Sequence, residues 1–493
     1  MSRLDIMDRF WVHYLQETQV IETPEEKTKR WIREKVIALF RSTLQEFIRC
    51  VKKEHGYKRD IASPILSPFG SYGIGGYVKN ADIDIVMIAP HSIKRADFFK
   101  FFPANLKQLA TIRDVECVKR TAVPIIKCVV DNISIDISFV RLKSNQVDPK
   151  INFLDDSLLN DLDEVCLASM DGPRVNQYIL NSIKEQHLPI FCLCLQSIKH
   201  WAMRRQIYNK PSGYLNGSSW TILLLKTYLV KRNQVAELTV TYLLDQFFQL
   251  WMDWPWPVPV CVTDSIPGKD GTTVEYDSLV EFEQACMPIV SPCYPVVNAA
   301  PNVTLSTRKV LQREFERAAF ILERTDLEPR EVLRKLFNPV DYFARFSHFL
   351  SITTSSSRQR SHEIWTRKMP YNIPQLITMI ESRKEFKLIQ AIYNPKQETK
   401  TYATEREKTA LRHGEWIDGS VSYTEPLNPG TLYLTHYFIG MKLDTDKEID
   451  LSEETRSFMA YLDSKRNAND DDVSFAINHM RRKQIAKMMN YPI

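Results

Sequence analysis

Two aspartates one residue apart are the most chemically loaded feature of this chain. Ala81-Asp82-Ile83-Asp84-Ile85-Val86-Met87-Ile88 reads as a strand, whose side chains alternate faces. Asp82 and Asp84 then share one side, with Ile83 and Ile85 turned into a core. Two residues along a strand span about 7 Å, so both carboxylates can reach one metal cluster. An exposed edge strand would carry the same pair without a ligand. A second segment, Ile133-Ser134-Ile135-Asp136-Ile137-Ser138-Phe139, alternates in the same way and places Asp136 opposite its apolar face. If the two strands are neighbours, three carboxylates converge. Hard oxygen ligands without His or Cys select Mg²⁺ or Mn²⁺ over zinc. Two such ions about 4 Å apart suit attack by a hydroxyl on a phosphate and departure of pyrophosphate.

Glycine is scarce, 14 in 493 residues, yet four fall within Phe69-Gly70-Ser71-Tyr72-Gly73-Ile74-Gly75-Gly76. Such a cluster marks a tight turn or a close backbone approach to a ligand. A Gly-Ser pair offers unhindered N–H groups and a hydroxyl to phosphate oxygens. A turn without a ligand reads the same.

The elements that must hold these residues follow from periodicity. The first ~55 residues read as helical, with Thr23-Pro24-Glu25-Glu26 as a helix start. Residues 70–140 are strand-rich, and 189–248 are helical and strongly apolar. A further helix spans 306–323. Beyond about residue 341 the pattern predicts strands over 346–353, 386–393 and 433–443, and helices over 373–381 and 452–462. That order suggests a small α+β sandwich of ferredoxin or RRM type. Residues 343–415 hold 13 Lys/Arg against 7 Asp/Glu, whereas 416–472 hold 5 against 12. The basic half could face a phosphate backbone or simply be a solvated surface.

Length calls for about three domains. With 44% hydrophobic and 25% charged residues the chain can bury large cores, and its net charge of +5 permits a polyanion partner. Nine cysteines without a CxxC pair fit neither a disulfide framework nor a zinc knuckle. They read as reduced, mostly buried thiols. No apolar run is long enough for a membrane span, and the N-terminus lacks a signal-peptide h-region. The expectation is an intracellular protein with no membrane contact.

Gly70-Ser71, Asp82-x-Asp84 and a distant Asp136 resemble the nucleotidyltransferase superfamily of DNA polymerase beta. Longer matches make the resemblance specific to the main eukaryotic poly(A) polymerase family. They include Val123-Pro124-Ile125-Ile126-Lys127, Asp155-Asp156-Ser157-Leu158-Leu159 and Ile198-Lys199-His200-Trp201-Ala202. Met287-Pro288-Ile289, Pro292-Cys293-Tyr294-Pro295, Asn302-Val303 with Ser306-Thr307, and Phe438-Ile439-Gly440 with Ile449-Asp450-Leu451 continue it in order. The resemblance implies an α+β multidomain protein. Its parts would be a nucleotidyltransferase palm over 1–185, a helical middle domain over 186–340 and an RNA-binding domain over 341–493. The N-terminal helices could pack on the middle domain. It implies Asp82, Asp84 and Asp136 as catalytic metal ligands for two Mg²⁺ or Mn²⁺ ions. It implies Phe69, Gly70, Ser71, Lys199, Tyr208, Gly217 and Ser218, with the three aspartates, as the ATP site. Val123 and Lys127 become RNA contacts. Lys199 has a logic of its own: it lies beside the apolar stripe Phe191, Cys194, Leu195, Ile198 and Trp201 of a helix and could reach a phosphate, although a lone helical lysine also reads as solvated surface. Tyr208 reads equally as a core aromatic.

The implied function is template-independent addition of AMP from ATP to RNA 3′ ends. A nuclear location, cleavage and polyadenylation partners and a monomeric state come with the resemblance. Several positions depart from the family pattern: Gly73 for Arg, Ala122 for Phe, Asp171 for Asn, Asn216-Gly217-Ser218 for Gly-Gly-Val, and Lys210 in the Tyr208-Asn209-Lys210 turn. They leave the metal chemistry intact and bear on base choice and primer affinity. A terminal uridylyltransferase or relaxed tailing enzyme is the alternative, and a catalytically inactive RNA-binding scaffold the reading from another class.

Overall fold

A computed structural model describes residues 3–22, 28–391, 395–415, 426–444, 449–467 and 470–489. The expected helix start at Thr23-Pro24 lies outside them. The chain forms two compact units, one of residues 1–201, 217–299 and 318–337, the other of 202–216, 300–317 and 338–493.

The first unit is built on a five-stranded sheet. Its strands are β1 (Ile65–Phe69), β2 (Ile83–Ala89), β3 (Ile112–Val118), β4 (Ile125–Val130) and β5 (Ile133–Arg141), in the order β1-β2-β5-β4-β3. Only β2 and β5 run parallel. Alternation assigns the two faces. Ile83, Ile85, Met87, Ile135 and Ile137 pack with Phe40, Phe47, Phe98 and Phe102 from helices Thr28–His55 and Arg95–Lys107. The second of these helices interrupts the stretch expected to be strand-rich. On the other face, Val86, Ile88 and Val140 pack with Cys166 and Met170 of helix Glu164–Ser182. Asp84 belongs to this second face, beyond the end of its apolar cover.

Helix Gly217–Lys231 is apolar all round and buried, as such a helix must be. Trp201 meets Trp220 edge-on at 5.8 Å. The N-terminal helix Arg3–Glu17 supplies Asp8, whose carboxylate accepts the backbone N–H groups of Val240 and Thr241 at 3.0 and 2.8 Å. It thereby caps helix Val240–Asp253. Of the nine cysteines, all free, four are buried and five half-buried, fewer than the composition suggested.

In the second unit, strand Gly430–Leu443 lies between Lys396–Tyr402 and His348–Ser356, and Ser474–Arg481 pairs with the far side of the latter. Phe386–Ala391 pairs with the end of Gly430–Leu443. Helices Gln359–Glu381 and Ser452–Ser464 bury one face through Trp365, Ile373, Ile377, Phe458 and Leu462. The strands at 348–356, 386–391 and 430–443 and the helix at 452–464 sit where periodicity puts them; residues 392–394 lie outside the described ones. The first helix is far longer than the 373–381 expected, running through Pro370 and Pro374. Lys396–Tyr402, helix Glu405–Arg412 and Ser474–Arg481 have no counterpart in the expected pattern.

The charge segregation of this region is largely consumed inside it. Arg358, Lys368 and Arg412 pair with Asp471, Asp470 and Asp472, and Arg383 pairs with Glu385 and Glu454. Arg345 and Arg205 share the buried Glu314. Glu398 receives His436 at 3.2 Å, Lys396 at 3.1 Å and Lys400 at 3.8 Å. The hydrogen bond from His436, opposed by burial and aided by Lys396, lowers its pKa from an ordinary 4.5 to about 2. Stabilisation from a lowered carboxyl pKa is complete above the ordinary value and is lost as pH falls through the folded one. Glu398→Gln therefore costs about 1 kcal/mol at pH 7 in urea unfolding, less than the full shift because solvent screens a partly buried carboxylate. The deficit shrinks as pH falls from 4.5 toward 2; an unchanged deficit across that window contradicts the assignment.

Candidate metal and nucleotide site

The sheet register assembles the site. In the parallel β2–β5 pair Asp84 lies directly opposite Asp136. Antiparallel pairing puts Phe69 of β1 opposite Asp84, Lys127 of β4 opposite Asp136, and Glu116 of β3 opposite Lys127. One row across one face thus reads Phe69, Asp84, Asp136, Lys127, Glu116. Asp82 sits just before β2, not within the strand as the alternation implied. Even so, carboxylate oxygens of Asp82, Asp84 and Asp136 all lie within 4.8 Å of one another.

Three carboxylates this close repel. Burial, with the charges of Asp82 and Asp136, pushes the Asp84 carboxyl up to about 7. Two cations oppose that shift. Lys127 Nζ is 3.0 Å from Asp136 Oδ2 and remains half exposed. Lys199 is buried at 3% exposure and donates to the Gly76 carbonyl at 3.3 Å. Burial lowers Lys199 to about 8 against the opposing pull of Asp82 and Asp84. Its neighbours on helix Leu188–Arg204, Phe191, Cys194, Leu195, Ile198 and Trp201, are fully buried. Lys199 is therefore an interior cation facing the acids, not a solvated surface lysine. All the donors are hard oxygens, a set that fits a divalent cation.

The glycine-rich turn is shaped by the same carboxylates. Gly70 has φ +66°, and a Cβ there would stand 2.6 Å from Asp84 Oδ2. Close approach and left-handed backbone both require glycine. The turn continues as the short helix Gly70–Ile74, which touches helix Gly217–Lys231, where Gly217 is half buried and Ser218 exposed. Phe69 is anchored by helix Glu164–Ser182: a Cβ on Gly172 would fall 2.4 Å from its ring. Asp171, beside Gly172, is half buried. The space a side chain at Gly73 would need is filled by the Asn176 amide, 3.0 Å from a Cβ there. Val123 is half buried and Ala122 exposed in the loop before β4. Tyr208 lies in the second unit, bridged to Leu215. Asn209 beside it accepts the Ser212 N–H at 3.2 Å and holds the Lys210–Ser212 turn.

Two residues escape a reading of the sequence. Arg33 is 2% exposed and donates to the Ala81 carbonyl at 2.8 Å, immediately before Asp82. Its guanidinium also lies over Tyr77 at 4.6 Å and Tyr72 at 5.8 Å. It thus ties the glycine-rich turn to the Asp82 loop. Gln196 donates to the Tyr77 carbonyl at 2.7 Å, one helical turn from Lys199. Both read as ordinary polar residues on amphipathic helices, so only the folded contacts reveal them.

The mutual repulsion has a measurable consequence. With a chelator present at about pH 7.5, Asp84→Asn removes a buried charge from beside two others and raises Tm by about 2–4 °C, the shift expected for roughly 1 kcal/mol. A Tm lowered by the substitution would show that the acids do not strain the fold.

Comparison with known proteins places this geometry. Three family models match in sequence order: the poly(A) polymerase nucleotidyltransferase domain over residues 10–183, the poly(A) polymerase central domain over 190–339, and the poly(A) polymerase predicted RNA binding domain over 341–492. A poly(A) polymerase of Dictyostelium discoideum is 26% identical over 483 residues, covering 94% of this chain and 55% of that protein. Poly(A) polymerase pla1 of Schizosaccharomyces pombe is 28% identical, covering 75% and 64%. Poly(A) polymerase PAPalpha of Candida albicans is 29% identical, covering 72% and 63%. The chain therefore spans a little over half to about two thirds of the length of these relatives. Among solved structures, a chain of the Cid1 poly(U) polymerase superposes with a TM-score of 0.47 at 17% identity, over 69% of this chain and all of that one. At that distance it bears on neither mechanism nor substrate. The three consecutive family matches, with the aspartate triad seated in the first of them, make this chain a member of the poly(A) polymerase family.

Proposed function

We propose that this chain extends RNA 3′ ends with AMP from ATP, without a template. The observation that carries the reading is the convergence of Asp82, Asp84 and Asp136 beside the buried Lys199. Asp82 and Asp84 are the residues that would hold two divalent ions, with Asp136 a ligand on the primer side. Mg²⁺ or Mn²⁺ bound there would supply Lewis-acid stabilisation of the attacking and leaving oxygens. The chain's own residues do the rest. Gly70 and Ser71 receive the phosphates, and Lys199 sets a positive charge beside them. Phe69, Gly217 and Ser218 complete the ATP pocket. Asp136 takes the proton of the primer 3′ hydroxyl as its oxygen attacks the α-phosphorus. A phosphodiester forms and pyrophosphate leaves. Lys127 and Val123 hold the primer, and Arg33 positions Asp82 through the Ala81 carbonyl.

We assign 1–185 to catalysis, 186–340 to a helical middle domain and 341–493 to RNA binding, in a monomer. A nuclear role in mRNA 3′-end formation, with cleavage and polyadenylation subunits as partners, fits the family. One observation favours a second reading, a uridylyl-transferring or relaxed tailing enzyme. Asp171 puts a carboxylate where the family pattern has an amide, on the helix that anchors Phe69, and a carboxylate cannot donate a hydrogen bond to a base. An inactive scaffold is disfavoured, because three mutually repelling carboxylates serve nothing in a fold that binds no cation.

Primer extension of oligo(A) with each nucleoside triphosphate, in Mg²⁺ and in Mn²⁺, tests the reading. ATP is expected to be used best, and Asp136→Ala to lose at least about a thousandfold in rate with its fold intact. Full activity in that variant contradicts the mechanism. Equal or better use of UTP keeps the metal site and shifts the function to general tailing.

A further inference from the structure

A cleft of about 1030 Å³ opens in the second unit, where strand ends meet the first turn of helix Ser452–Ser464. Much of its lining is apolar: Leu350, Phe386, Met441, Leu443 and Ile477. At its mouth His348 Nδ1 and His479 Nε2 stand 3.0 Å apart, with their rings stacked at 5.2 Å and 25°. The exposed Lys442 and Arg481 complete the rim. Neither makes an ion pair among the described residues, in a unit where Arg345, Arg358, Arg383, Lys396 and Arg412 each neutralise an acid. The acid lining the cleft, Asp450, is engaged with Ser452, whose N–H and hydroxyl donate to it at 2.9 and 2.6 Å. Burial and the charges of His348 and Arg481 lower the His479 pKa, which favours a neutral ring.

An apolar lining, stacked rings and two cations that pair with no acid among the described residues match a ligand with a flat aromatic body and a negative charge. We infer that this cleft seats an unpaired nucleotide of RNA, its base against the apolar lining beside the imidazoles and its phosphate between Lys442 and Arg481. The inference rests on the RNA-tailing reading and adds a seat for the strand remote in sequence from the aspartates. An acidic peptide would satisfy the cations but offers nothing planar to the stacked rings.

The test uses the full chain in chelator, so that binding is read without turnover. Anisotropy of labelled oligo(A) is followed against salt for the wild type, for Lys442→Ser with Arg481→Ser, and for a control, Arg360→Ser with Arg367→Ser, on the exposed side of helix Gln359–Glu381. The cleft variant is expected to bind at least about fivefold more weakly, with a salt slope shallower by about 0.7, the value for one phosphate contact on a single strand. Photocrosslinking with azidoadenosine-bearing RNA is expected to label peptides from 474–481 in the wild type, and not in His479→Ala. Unchanged affinity, an equal loss in the control, or crosslinks only elsewhere overturns the cleft while leaving RNA tailing standing. Competition by an acidic peptide, with no crosslink from RNA, reassigns the cleft to a protein partner and also overturns it. A wild type that binds no RNA overturns the RNA reading itself.

Discussion

The parallel pairing of β2 with β5 is the constraint on which the site depends. It fixes Asp84 opposite Asp136, and a one-residue slip would turn either carboxylate into the Ile83–Ile85 core or the Ile135–Ile137 core. Because those isoleucines are fully buried, the hydrophobic face enforces the register. The acids cannot relax apart without exposing the core. Packing thus holds charges together that electrostatics would separate; burial first, and then the charges of Asp82 and Asp136, raise Asp84 to about 7. Strain of this kind is stored where function needs it.

The surrounding elements serve the same row of residues. Gly70 is required because Asp84 leaves no room for a Cβ. The Gly70–Asp82 stretch hangs on three side chains from two helices. Arg33 takes the Ala81 carbonyl, Gln196 that of Tyr77 and Lys199 that of Gly76. Preorganised carbonyl contacts like these keep a loop from collapsing onto the acids. Lys127 caps the open side of the row through Asp136. In the second unit the buried carboxylate of Glu314 is instead satisfied by two guanidinium groups, those of Arg205 and Arg345.

Much of this is legible in the sequence, for identifiable reasons. Alternation around Asp84 and Asp136 carries both the strand and the side each acid faces, so their convergence follows once the strands are neighbours, whereas Asp82 lies one residue before the strand that alternation assigned to it. The apolar stripe beside Lys199 marks the helix but not the burial of its amine, which depends on the turn packed over it. Arg33 leaves no signal, since an arginine on a long amphipathic helix reads as surface. Lys396–Tyr402 escapes because an edge strand of Lys, Gln, Glu and Thr buries too little to show a hydrophobic period. Pro370 and Pro374 hide the full length of helix Gln359–Glu381 from any local rule. Trp365, Met369, Ile373, Leu376, Ile377 and Ile380 on its inner face outweigh two prolines at about 3 kcal/mol each. Local rules fail where burial in the tertiary fold stabilises a segment by more than its propensities cost.

The fold holds three carboxylates together, a set that fits a divalent cation. Mn²⁺ binding, followed by electron paramagnetic resonance on the wild type and on Asp82→Asn, Asp84→Asn and Asp136→Asn, reports on that fit. Saturable binding by the wild type and at least about a tenfold loss of affinity in each variant are expected. Identical isotherms for all four proteins would contradict that fit.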